Sequence, residues 1–148
     1  MRTFTTCTRR GYERLSDLAA RSEAALTFTA GTATIETIAD LPFTITSALV
    51  TTGLPAGTAP GTVIRIRQSG RAGQLQPSNG PRLLVRGRNY AAALMRFHLQ
   101  PGDDTGQWVI VGDGLWQDQG AGELRLDAAD SALPAMSTLS ALGEAWRA

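Results

Sequence analysis

The sequence offers few side chains of the kinds that build a catalytic or metal site. It contains a single cysteine, Cys7, and a single histidine, His98. A zinc site needs several Cys or His ligands at close spacing, and a Ser-His-Asp triad would have to use His98. A Walker loop needs a lysine, and the chain has none. We therefore expect no metal site, no cofactor and no enzymatic activity.

Paired carboxylates are the remaining catalytic possibility. Asp103 and Asp104 fall in a PGDDTG turn, where Asp is favoured for backbone reasons. Asp113 and Asp118 flank Trp116, whose ring could stack on a sugar. A glycosidase needs two carboxyl groups held roughly 5–10 Å apart, which the sequence does not specify. We favour structural roles for these acids.

The arginines are concentrated in one part of the chain. Residues 1–40 carry five Arg and five acids, residues 41–100 carry seven Arg and no acid, and residues 101–148 carry two Arg and eight acids. The net charges of 0, +7 and −6 add to the +1 of the whole chain. The basic middle could pair with the acidic C-terminal third within one subunit or across a subunit boundary. It could also bind an external anionic partner such as nucleic acid or an acidic glycan.

Alternating hydrophobicity predicts which elements carry these arginines. In TVIRIRQ, Ile64 and Ile66 fall on one face of a strand and the arginines between them on the other. PRLLVRGR and AAALMRFHL show similar alternation. The predicted fold is mainly β, an antiparallel β-sandwich or barrel-like module with a helix at each end. We expect five arginines to share one face, opposite the core: Arg65, Arg67, Arg86, Arg88 and Arg96.

Three segments are predicted along the chain. Residues 1–26 form a helical anchor, with a helix over Thr8–Leu26, and residues 27–118 form the β module, in which Gly112–Gly114 make a tight turn. Residues 119–148 form an acidic arm whose helix starts at Pro134. The apolar stripe of that helix consists of Met136, Leu139, Leu142 and Trp146.

Targeting and membrane signals are not evident in the sequence. The first residues lack the apolar region of a signal peptide, and no apolar stretch approaches the ~20 residues that span a bilayer. One cysteine excludes an intrachain disulfide. We expect a soluble protein made in a reducing cytoplasm.

The middle of the chain resembles a known class of module. From about Leu41 to Trp116, the stretches PFTITSALV, GTVIRIRQSG, GQLQPSNG and WVIVGDGLW resemble the small β modules of tailed-phage virion appendages. The closing W-x-x-x-G-D-G pattern starts at Trp108. The resemblance covers about half of the chain. It implies a non-catalytic fibre, spike or capsid-decoration protein, commonly trimeric, that attaches to neighbouring capsid or tail proteins in the virion.

Two other functions stay open. A carbohydrate-binding module would recognise host surface glycans through Trp108, Trp116 and the arginine face. A nucleic-acid-binding β protein would need aromatics among the arginines, and the stretch 65–97 that carries the arginines offers only Tyr90 and Phe97. The predicted partner-binding residues are Arg65, Arg67, Arg86, Arg88, Arg96, Trp108, Trp116, Met136, Leu139 and Trp146.

Overall fold

Nine strands and two short helices make up the described part of the protein. The computed structural model describes residues 12, 14–54, 60–71, 80–98, 100, 102, 105–129 and 131–147. The elements, in chain order, are α1 (Leu15–Arg21), β1 (Ala24–Ile38), β2 (Leu41–Leu54), β3 (Val63–Ser69), β4 (Gly80–Pro81), β5 (Asn89–Arg96), β6 (Gln107–Gly120), β7 (Glu123–Leu126), β8 (Ala128–Ala129), β9 (Met136–Thr138) and α2 (Leu139–Arg147). The predicted mainly β fold with a helix at each end is confirmed.

Five of the strands close into a barrel. They follow the order β3-β2-β1-β5-β6 through antiparallel pairs, and β3 also pairs in parallel with β6. That parallel pairing joins Arg65–Arg67 to Gln107–Val109 and completes the ring. Beyond β6 the sheet continues through β7 and β9, whereas β4 and β8 form a separate two-stranded sheet.

One hydrophobic core fills the barrel. Alternate residues of β3, Ile64 and Ile66, point into it, as the sequence predicts. The rings of Phe28 and Tyr90 stack there with their centroids 5.7 Å apart. The other buried members are Leu26, Ala30, Ala48, Val50, Ala92, Leu94, Trp108 and Leu115.

A second core lies outside the barrel, between its wall and the two helices. Leu18 of α1 and Leu142 of α2 are fully buried there against Ala91, Ala93 and Trp116. Strand β5 therefore has a core on each of its faces, and its residues Tyr90–Leu94 are buried without interruption. This burial on both faces explains why β5 is an unbroken apolar run.

The predicted tight turn at Gly112–Gly114 lies within β6 instead. The pairing of β5 with β6 jumps from Ala92↔Leu115 to Leu94↔Ile110, so these glycines form a bulge. A Cβ on Gly112 would lie 2.6 Å from the Tyr12 ring, and one on Gly114 would lie 2.8 Å from the Ala93 Cβ. The bulge thus provides the space in which Tyr12 and α1 pack against the barrel.

Both helices are shorter than predicted. Residues 8–11 and 13 of the predicted first helix lie outside the described residues, and α1 ends at Arg21. The Ser22 N–H bonds to the Ala19 carbonyl, and the chain then enters β1, because Leu26 fills the barrel core.

The second helix starts at Leu139 rather than at Pro134. Met136 lies in β9, where it pairs with Arg125 and is 54% exposed, so it is not part of the helix stripe. Leu139, Leu142 and Trp146 do pack on the second core, which places that stripe against the chain itself.

The predicted segment boundaries fall inside strands. The boundary after residue 26 lies within β1 and the one after residue 118 lies within β6. Of the residues 119–148, β7 and β9 belong to the same sheet as the barrel strands. None of the described helices has the length and apolarity required to cross a membrane.

Candidate functional site

The arginines predicted to form one face are spread over several parts of the molecule. Arg65 lies exposed on the outer side of β3, whereas Arg67 is buried. Arg86 and Arg88 flank Gly87 in a turn, because residues 82–85 adopt no regular strand. Arg96 ends β5 on the same side as Leu94, which faces the barrel interior. The prediction of a single arginine surface is therefore wrong.

Arg67 is the buried centre of a side-chain cluster on the outer side of the barrel. Its Nε donates to the Gln107 Oε1 at 2.8 Å, and its Nη2 forms an ion pair with Glu36. Its guanidinium carbon lies 5.1 Å from the Phe43 ring centroid and 4.5 Å from that of Phe97. The side chain is only 5% exposed, and its buried Nη1 has no hydrogen-bond partner among the described residues. Arg67 thus holds strands together and is not available to a partner, which corrects its predicted role.

Two further ion pairs show how the charged segments meet. The Arg82 Nη1 lies 3.3 Å from the Oδ1 of buried Asp127, which joins the basic middle to the acidic C-terminal third within one chain. Arg96 pairs instead with Glu23, 3.9 Å away in the N-terminal segment. The intrachain interpretation therefore accounts for part of the basic charge. Among the described residues, the N-terminal acids Glu36 and Glu23 and the C-terminal acid Asp127 all pair with arginines of the middle segment.

Trp108 and Trp116 do not offer stacking surfaces. Trp116 is fully buried in the second core, and Trp108 is 9% exposed in the barrel core. The guanidinium of Arg96 lies 4.8 Å from the Trp108 ring centroid and covers it. The prediction that Trp108 and Trp116 recognise a sugar ring is wrong, because the closed barrel and the helices bury both rings.

The carboxylates near Trp116 have a structural setting. The Asp118 Oδ1 accepts a hydrogen bond from the Gly120 N–H at 2.8 Å and stabilises the turn between β6 and β7. Asp103 and Asp104 lie outside the described residues. Among the residues that are described, no group of three His, Cys, Asp or Glu side chains could hold a metal ion.

Exposed apolar residues mark a region that the sequence did not single out. Ile35 is 46% exposed, Ile38 is 38% exposed and Leu41 is 60% exposed. They lie where β1 turns into β2, with Ile38 paired to Leu41 next to the turn at Ala39 and Asp40. We call the segment Ile35–Leu41 the hairpin tip. Its Thr and Ile content indicates a strand, and that pattern does not show that Ile35 and Ile38 lie outside the core.

The adjoining stretch of β1 has an uncovered edge. Strand β5 pairs with β1 only over Ala24–Thr29, and the Gly87 N–H and Arg88 carbonyl then bond to Ala30. From Gly31 to Ile38, β1 pairs with β2 on one side and with no other described residue on the other. We call Gly31–Ile38 the open edge.

The pairing pattern defines which backbone groups point out of the open edge. Both polar groups of Ala30 point away from β2, towards the 87–88 turn. Ala30 pairs with Ala48, and after a bulge Ala33 pairs with Thr46, two residues along β2. Because such pairs alternate along antiparallel strands, Ala33 also directs its N–H and carbonyl away from β2. The same holds for Ile35 and Thr37.

Comparison with known proteins adds no relative. No protein-family model, no curated protein and no solved structure matches this chain.

Proposed function

We propose that this chain is a non-catalytic structural protein of a phage or phage-like particle, which assembles with copies of itself and attaches to neighbouring particle proteins. The observation that carries the proposal is the hairpin tip beside the open edge. There, exposed Ile35, Ile38 and Leu41 lie next to backbone groups that pair with no other residue in the described part of the chain.

Natural proteins protect the edges of their sheets. They place lysine, proline or a bulge there, or cover the edge with another element, because an open strand templates pairing with another chain. The open edge reads GTATIETI, with no lysine or proline and one acid. Its bulge lies at its start, before Ala33, so Ala33–Ile38 is regular strand, and Ile35 and Ile38 on it are exposed. An edge of this composition is suited to a partner strand, which favours an assembly role.

The test of this proposal is the size of the purified chain in solution. Light scattering combined with sedimentation should give a molar mass of more than one chain, and this mass should persist on dilution. A monomer at every concentration would contradict the proposal. Attachment to a particle has its own readout: mass spectrometry of purified particles from the source organism should detect the chain together with capsid or tail proteins.

A second candidate is a nucleic-acid-binding barrel. The order and directions of β1, β2, β3, β5 and β6 are those of five-stranded OB-fold barrels, which bind oligonucleotides on the outer face of their second and third strands. On that face of this chain, exposed Arg65 lies opposite Ser47 and beside the exposed pair Leu49 and Val63. A shared topology does not by itself define a function.

This second candidate makes a separate prediction. Single-stranded DNA should retain the chain at low salt and release it as salt rises, because phosphate contacts release counterions. The variant Arg65→Glu should weaken retention, whereas Glu123→Gln should not. Retention that is unchanged in Arg65→Glu would contradict this candidate.

A further inference from the structure

We propose that the open edge of β1 pairs with the open edge of a second copy of this chain, antiparallel and about a two-fold axis at Ile35. This inference rests on the proposed function and deepens it, because it names the partner and the register.

The hydrogen-bonding groups of the open edge suit their own two-fold copy. Ala33, Ile35 and Thr37 direct their backbone groups outward, as the pairing of Ala30 and the bulge after it require. Antiparallel strands exchange hydrogen bonds between directly opposite residues. With Ile35 opposite Ile35 of the second copy, Ala33 of each copy meets Thr37 of the other. All the outward groups of these residues are then paired.

Charge complementarity selects the same arrangement. Arg86 and Arg88 lie in the turn whose backbone is hydrogen-bonded to Ala30, and this turn therefore lies at the start of the open edge. Asp40 lies just past its other end, and both arginines and this acid are exposed. In the proposed register, the extra residue of the bulge between Ala30 and Ala33 sets Ala30 of one copy opposite Ala39 of the other, beside Asp40. The two basic ends therefore meet the two acidic ends, which a parallel arrangement would not achieve.

The side chains on the axis also fit. Ile35 is 46% exposed in the single chain, and a cross-strand pair of β-branched residues stabilises an antiparallel sheet. In this two-fold contact the open edges of both copies are occupied, so the contact forms a dimer and cannot add a third copy. The trimer implied by the phage resemblance would have to use other surfaces.

The first experiment is sedimentation equilibrium of the wild-type chain and of Ile35→Lys. The wild type should be a dimer, and the variant should dissociate at least about 100-fold more readily, since it sets two like charges opposite each other on the axis. The matched control is Val63→Lys, which changes another exposed apolar residue on β3 and should leave the dimer intact. Unchanged circular dichroism would show that Ile35→Lys still folds.

A cross-linking experiment tests the register. In a Cys7→Ser background, Ile35→Cys should give a covalent dimer with a short thiol-to-thiol reagent, because directly opposite Cα atoms lie about 5.5 Å apart. Val63→Cys should not. Asp40 has a positive φ of 66°, which Asn also tolerates, so Asp40→Asn removes the charge without straining the turn. This variant should raise the dissociation constant of the dimer by roughly 2- to 30-fold at low salt and much less at high salt.

The outcomes separate the two proposals. A dimer that resists Ile35→Lys, or a trimer, overturns the edge pairing and leaves self-assembly standing. A wild-type monomer overturns both. A dimer that Ile35→Lys dissociates and Ile35→Cys cross-links supports both.

Discussion

Arg67 illustrates why the fate of a single charged residue is hard to predict. Alternation correctly puts it on the side of β3 opposite Ile64 and Ile66. Burial then depends on residues distant in sequence, because Phe97, Gln107 and Glu36 reach it only once the barrel has closed. The pattern along one strand contains no information about those neighbours.

The first prediction concerns this cluster. Arg67→Lys keeps the charge but loses the planar group that bonds Gln107 and Glu36 while stacking on two rings. We expect the free energy of unfolding to fall by roughly 1–3 kcal/mol in urea titrations. Arg65→Lys, two residues away and exposed, should change it by no more than about 0.5 kcal/mol. Equal effects of the two substitutions would contradict the structural role of Arg67.

A second prediction concerns Tyr90 and pH. Desolvation by burial raises the pKa of Tyr90, whose hydroxyl accepts a hydrogen bond from the Val85 N–H at 2.8 Å. The raised pKa means that the phenol ionises more easily in the unfolded chain, so its contribution to stability is complete below a pH of about 10 and is lost above it.

Tyr90→Phe provides the comparison. At neutral pH it should destabilise the chain by about 1 kcal/mol, because the Val85 N–H loses its acceptor. The difference between wild type and variant should narrow as pH rises above about 10, measured by unfolding at several pH values. If the difference in unfolding free energy stayed constant or widened above this pH, the raised pKa of Tyr90 would be contradicted.

Among the elements, the strands were more predictable than the helices and turns. Ile64 and Ile66 alternate with arginines because one face of β3 meets the barrel core. The predicted N-terminal helix extends too far, to Leu26, because the residues Ala24–Leu26 favour a helix locally. In the fold, Leu26 packs in the barrel core as part of β1. PRLLVR alternates like a strand, yet residues 82–85 lie outside regular structure and Arg82 pairs with Asp127. Local patterns do not report such long-range contacts.

A third prediction tests the glycine bulge in β6. Gly114→Ala would place a Cβ 2.8 Å from the Ala93 Cβ and 2.9 Å from the Leu18 Cδ2. We expect a loss of about 1–3 kcal/mol in unfolding free energy, because α1 must shift off the barrel. Asp113→Ala, the neighbouring position in the same bulge, should cost less than about 0.5 kcal/mol. A neutral Gly114→Ala would show that α1 does not need this close approach.

For the molecule as a whole, the alternation along the strands predicts an arginine face as the interaction surface. Folding instead places arginines in ion pairs with Glu36, Asp127 and Glu23, and leaves the hairpin tip and the open edge exposed. The stretch TATIETI, rich in Thr and Ile, indicates a strand in the sequence. Its exposure follows from barrel closure, since β5 and the 87–88 turn cover β1 only as far as Ala30.

The central claim is that this chain assembles with itself through the open edge of β1. Sedimentation equilibrium of the wild type and Ile35→Lys over the same concentrations tests it. We predict a wild-type dimer, a folded monomer for Ile35→Lys, and a dimer for Val63→Lys. A wild-type monomer, or a dimer that Ile35→Lys leaves intact, would contradict it.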